Sequence, residues 1–178
     1  KILFYNASPA RGFDIALKDL DYKIKKCCFF GSLYRNIHKN RKNLLVYLSR
    51  RNIKLDIYSS TQGATIISSI SDKFKKIYSS KELIKFLNKL ESLVFSLKYP
   101  QLKNLHQPIF DDEMLLRLSS YLCSLNVHTN DANGYAANIR LFECASVGTC
   151  VITEQFPNIS DLFIPDKEIL TYSSKEDC

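Results

Sequence analysis

The sequence of 178 residues is 46% hydrophobic, 12% aromatic and 24% charged, which excludes a disordered chain and allows a sizeable buried core. Its five glycines and five prolines exclude collagen-like and linker-rich designs. The longest apolar runs, residues 27–30 and 44–48, are far shorter than the ~20 residues of a membrane-spanning helix. The chain starts at Lys1 rather than Met and ends at Cys178 on residues typical of a first helical turn, so we expect a piece of a longer protein.

The net charge of +7 is distributed unevenly along the chain. Residues 1–110 carry 21 Lys and Arg against 7 Asp and Glu, a net charge of +14, whereas residues 111–178 carry 4 against 11, a net charge of −7. A segment this basic can attract nucleic acid or an anionic membrane. Lysine outnumbers arginine 18 to 7, however, and arginine is the residue that reads bases and binds phosphates bidentately. We therefore favour a solvated lysine surface over nucleic-acid binding, and we leave peripheral membrane contact open.

Strand-like and helix-like segments alternate from residue 26 onward. The first is the apolar run 27–30, which stops at Gly31 and Ser32 and is typical of a strand buried on both faces. A basic amphipathic helix with its leucines on one side follows it. Further segments predict strands near residues 53–58, 104–108, 124–128, 149–153 and 169–172, with helices between them.

This alternation predicts an α/β fold with a doubly wound, parallel, Rossmann-like sheet. Because crossovers between parallel strands are right-handed, we expect the strand order 3-2-1-4-5-6. A helix over residues 138–147 is expected to end at Gly148, a residue suited to a left-handed cap. We interpret residues 1–25 as a linker or the remnant of a preceding domain. Residues 26–178 are then the Rossmann-like domain itself, truncated at its carboxyl terminus.

The six cysteines and three histidines show no pattern of a metal site. There is no C-x-x-C pair, and the spacings do not match those of zinc ligands. Cys27 and Cys28 are adjacent in a predicted strand, so their side chains point to opposite faces. We expect free, buried thiols in a reducing compartment and no bound metal.

Several common nucleotide and hydrolase motifs are absent from the sequence. There is no G-x-G-x-x-G, no G-x-x-x-x-G-K-[ST] and no G-x-S-x-G. An open α/β sheet binds ligands beyond the carboxyl ends of its strands, at the switch point of the topology. Two loops meet this condition, namely Gly31 with Ser32 and the loop from His128 to the helix near Asn138.

The helix that starts near Asn138 offers a site for a phosphate. Its first N–H groups, over residues 137–140, face the switch point and favour an anion. Arg140 adds a positive charge in the same turn, and Glu143, one turn further in, can accept two hydrogen bonds from a ribose diol. The alternative is an exposed ion pair between Arg140 and Glu143 at i,i+3 spacing, and the spacing alone leaves both interpretations open.

At these residues the sequence resembles a known family. The stretch N-I-R-L-F-E-C-A-S-V-G-T-C-V-I-T-E, residues 138–154, is similar to the donor-binding segment of GT-B glycosyltransferases, and most similar to the CgeB-like, spore-maturation type of the group-1 enzymes. Residues 161–172 continue the same pattern. Residues 29–34 followed by Arg41 resemble the opening strand and loop of that family's carboxyl-terminal domain. Residues 124–128 resemble the strand before the donor loop.

The resemblance implies roles for individual residues. Glu143 is the carboxylate that binds the donor ribose, and Gly31, Ser32 and Arg41 border the donor on the side opposite the helix. Many retaining members carry a second Glu eight residues before the ribose Glu, and here Tyr135 occupies that position. The diphosphate faces Ala137, Asn138 and Arg140, and the candidate catalytic residues are His128 and Tyr135.

The implied activity is glycosyl transfer from a UDP- or GDP-sugar to an unknown acceptor, which is a glycan, a protein or a small molecule. The resemblance also implies retention of anomeric configuration and an acceptor-binding amino-terminal domain, without which this chain is inactive. Helix N–H groups and a cation can stabilise a leaving diphosphate without a metal, so we expect no metal and no cofactor besides the donor, in a cytoplasmic protein. Two other functions stay open: a non-catalytic nucleotide-binding module, and a basic scaffold for nucleic acid or an anionic membrane.

Overall fold

The computed structural model describes residues 12, 14–15, 23–33, 38–60, 81–102, 105–128, 134–136 and 138–178. Within these ranges five strands form one all-parallel sheet in the order β2-β1-β3-β4-β5. The strands are β1 (Ile24–Phe30), β2 (Leu55–Tyr58), β3 (Tyr121–Asn126), β4 (Cys150–Glu154) and β5 (Ile169–Tyr172). The α-helices are α1 (Lys39–Arg50), α2 (Lys81–Lys98), α3 (Asp111–Ser119) and α4 (Ile139–Ser146), and short 3₁₀ turns cover Pro100–Leu102 and Ile159–Asp161. The predicted α/β class with a parallel sheet is confirmed.

A strand was predicted near residues 104–108, but the described residues of this segment, 105–108, form no strand. In the described part of the chain this segment pairs only through a parallel bridge between Tyr58 and His106, on the outer edge of β2. The amide of His106 donates to the Ile57 carbonyl at 2.8 Å. Pro108 has no N–H to continue the ladder, so pairing stops within two residues. The bridge lies where the third strand was expected, and the order of the remaining strands is as predicted.

Both faces of β1 are buried, as its unbroken apolar sequence predicts. Cys28 and Phe30 pack into one core and Phe29 packs into the other. Cys27 and Cys28 therefore do point to opposite faces. The first core also contains side chains of α3 and α4, including Met114, Leu118, Leu141 and Cys144. The second contains side chains of α1 and α2, including Leu44, Leu45, Leu48 and Phe95.

The short helix α4 is bounded by its own sequence. Asn138 is the N-cap, and its side chain accepts a hydrogen bond from the Leu141 amide. At the other end Gly148 has φ 67°, a left-handed conformation that suits glycine at a helix end. This confirms the predicted stop at Gly148.

The strand order creates a switch point between β1 and β3. These strands are neighbours, but the chain leaves β1 towards β2 on one side and leaves β3 towards β4 on the other. The loops after β1 and β3 therefore separate and leave a crevice at their carboxyl ends. None of the helices in the ranges given above combines the length and apolar composition that crossing a bilayer requires.

Candidate functional site

The residues predicted to border a ligand gather at the carboxyl edge of the sheet. Gly31 and Ser32 directly follow β1, and the Gly31 amide donates to the Tyr58 carbonyl at 3.2 Å. A Cβ atom at Gly31 would come within 2.9 Å of the Phe29 ring and 3.6 Å of the Arg41 guanidinium. A larger residue at position 31 would therefore require the buried Phe29 ring to shift.

Arg41, in the first turn of α1, connects the two strands at the switch point. Its Nε donates to the Val127 carbonyl at 2.7 Å, and its Nη1 donates to the Ser32 carbonyl at 3.4 Å. Burial lowers the pKa of Arg41, Arg140 lowers it further, and the Glu154 carboxylate opposes both effects. A cation is thus held by main-chain carbonyls at the point where the α/β topology places a ligand.

A relay of amide side chains ties the start of α4 to the sheet. The Nδ2 of Asn138 donates to the Oδ1 of Asn126 at 2.9 Å, and the Nδ2 of Asn126 donates to the Thr153 hydroxyl at the same distance. Asn126 is the last residue of β3 and Thr153 lies in β4. The Oδ1 of Asn138 meanwhile caps Leu141 at 3.1 Å. The position of the α4 N-terminus is therefore determined by β3 and β4 together.

The segment before α4 is anchored by a second buried amide. The Oδ1 of Asn158 accepts from the Ala136 amide at 2.8 Å, and its Nδ2 donates to the Ala136 carbonyl at 2.7 Å. Tyr135, next to this anchor, leaves 49% of its surface exposed. Ala137, predicted to face a diphosphate, lies outside the described residues. Asn126 and Asn158 were not predicted as site residues, because each of them bonds to segments that are distant in the chain.

Arg140 and Glu143 form the ion pair that the i,i+3 spacing allowed, but the pair is not exposed. Their charged atoms are 2.8 Å apart, and the side chains are only 21% and 13% exposed. Arg140 also contacts the Met114 sulfur and lies over the Phe30 ring, with 5.8 Å from its guanidinium carbon to the ring centroid. The ion pair of the alternative interpretation therefore forms, but it is largely covered by α3 and β1 rather than exposed.

His128 follows β3 and is paired with a residue that the sequence analysis did not assign to the site. The Oε2 of Glu154 accepts from the His128 amide at 2.6 Å and lies 3.1 Å from its Nδ1. A carboxylate only accepts hydrogen bonds, so Nδ1 carries the proton. The His128 side chain is 2% exposed, packs edge-on against Phe156 and leaves a buried Nε2 without a hydrogen-bond partner. Glu154 thus fixes the orientation of the ring and leaves Nε2 unpaired.

Two cationic side chains and two carboxylates lie along the carboxyl edge of the sheet. Arg41 and Arg140 are suited to an anionic group, and Glu143 and Glu154 to hydroxyl or N–H donors. In the part of the chain that the structure describes, no three His, Cys, Asp or Glu side chains are grouped so as to hold a metal ion.

Comparison with known families agrees with this arrangement. The model of a family described as glycosyl transferase-like matches residues 75–178, more than half of the chain. The chain belongs to the glycosyl transferase-like family. The match includes α4 and Glu154 but not β1 or Arg41, so the first half of the switch point lies outside it. No curated protein matches this glycosyl transferase-like chain.

Replacing Asn138 by alanine is expected to lower the free energy of unfolding by about 0.5–2 kcal/mol. The change removes the cap of α4 and the donor to Asn126 in one step. Asn138→Asp keeps an acceptor for the Leu141 amide and loses only the donor, so its loss should be smaller. Urea denaturation of the three proteins measures this order, and an alanine variant as stable as the wild type contradicts the capping role.

Proposed function

We propose that this chain is the donor-binding domain of a retaining, CgeB-like glycosyltransferase of GT-B architecture. It binds a UDP- or GDP-sugar, and the sugar passes to an acceptor held by a second, amino-terminal domain. The observation that carries the proposal is the Arg41 guanidinium held by the Val127 and Ser32 carbonyls at the switch point. Membership of the glycosyl transferase-like family supplies the reaction class.

The diphosphate of the donor is assigned to the space between Arg41 and the first turn of α4. Arginine carries five N–H donors, and the contacts of Arg41 described above use two of them. Arg140 contributes a second cation, and its Nε is buried without a hydrogen-bond partner. Helix N–H groups and two guanidinium groups can stabilise the negative charge that develops on a leaving diphosphate. On this basis the transfer is proposed to need no metal and no further cofactor.

The ribose of the donor is assigned to Glu143. A carboxylate one turn inside the helix lies beyond the phosphate position and can accept hydrogen bonds from both ribose hydroxyl groups. In the structure Glu143 is paired with Arg140. We infer that donor binding breaks this ion pair. The Arg140 guanidinium then turns to the phosphate, and the Glu143 carboxylate accepts hydrogen bonds from the ribose diol. Both buried charges then keep a partner, which limits the desolvation cost.

The donor sugar is assigned to His128. With Nδ1 held by Glu154, the ring offers Nε2 for a hydrogen bond with a sugar hydroxyl. Tyr135, in place of the second Glu of many retaining enzymes, supplies a phenol hydroxyl where those enzymes have a carboxylate. His128 and Tyr135 remain the candidate catalytic residues, and the acceptor is a glycan, a protein or a small molecule.

The 178-residue chain is expected to bind UDP and GDP and to transfer no sugar by itself. The nucleotide needs only this domain, whereas the acceptor needs the second one. Calorimetric titration with UDP, GDP and the corresponding monophosphates measures the first part, and the diphosphates should bind more tightly. Incubation with UDP- and GDP-sugars and a panel of simple glycosides measures the second.

The two measurements can contradict different parts of the proposal. If neither diphosphate binds, or if mono- and diphosphates bind equally, the assignment of Arg41 and Arg140 to the diphosphate is wrong. If the chain alone transfers sugar, the division of donor and acceptor sites between two domains is wrong. Binding that persists without any turnover after a second domain is restored would favour a non-catalytic nucleotide-binding module.

A further inference from the structure

Three cysteines lie side by side across the sheet, distant from one another in sequence. Cys27 of β1 is the register partner of Cys123 of β3, and Cys123 is the register partner of Cys150 of β4. In-register residues of parallel strands point to the same face, and neighbouring strands lie about 4.8 Å apart. This spacing falls within the Cα separation of disulfides, roughly 4.4–6.8 Å. All three thiols are free and half-buried.

The Cys123 sulfur lies on the side of β1 rather than that of β4. It lies 3.9 Å from the carbonyl of Lys26, the residue before Cys27. The sulfurs of Cys27 and Cys150 lie near carbonyls of their own strands, at 3.7 Å and 4.0 Å. The register and the position of the Cys123 sulfur therefore favour Cys27 as its partner.

Cys27 and Cys123 differ in reactivity. A side-chain hydrogen bond with Cys27 lowers the pKa of Cys123 to about 7, although burial opposes the change. The pKa of Cys27 is raised, chiefly by this hydrogen bond and by burial. Burial also raises the pKa of Cys144 to about 11. Since the thiolate is the nucleophile, Cys123 is the more reactive of these thiols at neutral pH.

We propose that Cys27 and Cys123 form a redox modification site. A hydroperoxide oxidises their two thiols to a disulfide that joins β1 and β3. The Cys123 thiolate attacks the peroxide, so that an S–O bond forms, the O–O bond breaks and the departing alkoxide or hydroxide takes a proton. The Cys27 sulfur then attacks the sulfenic acid of Cys123. The S–S bond forms, the S–O bond breaks, and the hydroxyl leaves with the Cys27 proton as water. The two thiols together lose two electrons, and these two electrons reduce the hydroperoxide.

The site is separate from the proposed donor site. Cys150 begins β4 and Cys123 lies near the start of β3, whereas His128 and Glu154 lie at or beyond the opposite ends of these strands. The disulfide would join the two strands that flank the switch point without touching the residues that border it. Oxidised protein should therefore unfold at a higher urea concentration than reduced protein, with nucleotide binding retained.

Peptide mapping after oxidation tests the proposal. The full chain is treated with hydrogen peroxide, free thiols are blocked with N-ethylmaleimide, and the protein is digested without reductant and analysed by mass spectrometry. We expect one cross-linked species, between the peptide of Cys123 and the peptide that carries both Cys27 and Cys28. The matched variants Cys27→Ala and Cys28→Ala separate these adjacent thiols: only Cys27→Ala should abolish the link. Cys27→Ala should also slow the alkylation of Cys123 at pH 7 roughly tenfold, because the thiolate loses its hydrogen-bond donor.

Other outcomes would overturn the proposal. A link between Cys123 and Cys150, a link through Cys28, or unlinked sulfinic acid at Cys123 in the wild type each contradicts the pairing. Wild-type mapping and Cys28→Ala decide the matter even if Cys27→Ala does not fold. Equal alkylation rates of Cys123 in the wild type and a folded Cys27→Ala variant would show that the contact does not activate the thiol.

Discussion

Replacing Glu143 by alanine is expected to weaken the binding of UDP or GDP by about ten- to a hundredfold. A hydrogen bond to a charged group contributes roughly 1.5–3 kcal/mol, which corresponds to about that change in the dissociation constant. The variant removes the acceptor for the ribose diol and leaves Arg140 without its 2.8 Å partner. Calorimetric titration of both nucleotides against the wild type and the variant measures the effect.

The structure provides a matched control for this variant. Glu82 and Lys85 form an i,i+3 ion pair at 3.5 Å on α2, with side chains that are 84% and 76% exposed. Glu82→Ala removes the acidic member of a pair with the same spacing, but at the surface and away from the switch point, so nucleotide binding should not change. Urea denaturation of each variant establishes that the protein is folded. If Glu143→Ala binds as the wild type does, the ribose assignment fails and the pair with Arg140 is structural.

Replacing Glu154 by alanine is expected to lower the free energy of unfolding by roughly 2–6 kcal/mol. The carboxylate accepts from the amide and the Nδ1 of His128, and the His128 side chain is buried. Removing an acceptor that leaves a buried donor unpaired costs about 1–3 kcal/mol for each group. Urea denaturation with an unchanged m-value measures the loss.

The isosteric variant Glu154→Gln separates the hydrogen bonds from the charge. Its amide oxygen can still accept from both donors of His128, so the expected loss is roughly 1 kcal/mol. Equal stabilities for Glu154→Ala and Glu154→Gln would mean that these hydrogen bonds are not what holds His128. Because Glu154 contacts His128, Glu154→Ala is not a neutral comparison for Glu143→Ala. Glu82→Ala serves as that comparison instead.

The local sequence pattern was enough to predict most of the sheet and the end of α4. The apolar run of β1 predicted burial on both faces, and the alternation of strands and helices predicted a parallel sheet with β1 beside β3. Gly148 marked the end of α4, because a left-handed residue there favours glycine. These features depend on residues close together in the chain and on the handedness of crossovers, so the sequence carries them directly.

The segment near residues 104–108 shows where local pattern is insufficient. Its residues suit a strand, but pairing in the described ranges is limited to the bridge at His106. A strand at the edge of a sheet has a partner on one side only, and Pro108 removes a donor from that side. Whether such a segment forms a strand depends on its neighbours as well as on its own side chains.

The features of the site also divide into those that the sequence predicts and those that only the tertiary structure decides. Sequence alone determined the residue types at the α4 N-terminus and the spacing of Arg140 and Glu143, because one turn of helix brings them together. Only the tertiary structure decided that this pair is buried, that Glu154 orients His128, and that Cys27 meets Cys123. Each of these contacts joins strands or helices that are distant in the chain, and the register of a parallel sheet is set by the packing of both its faces.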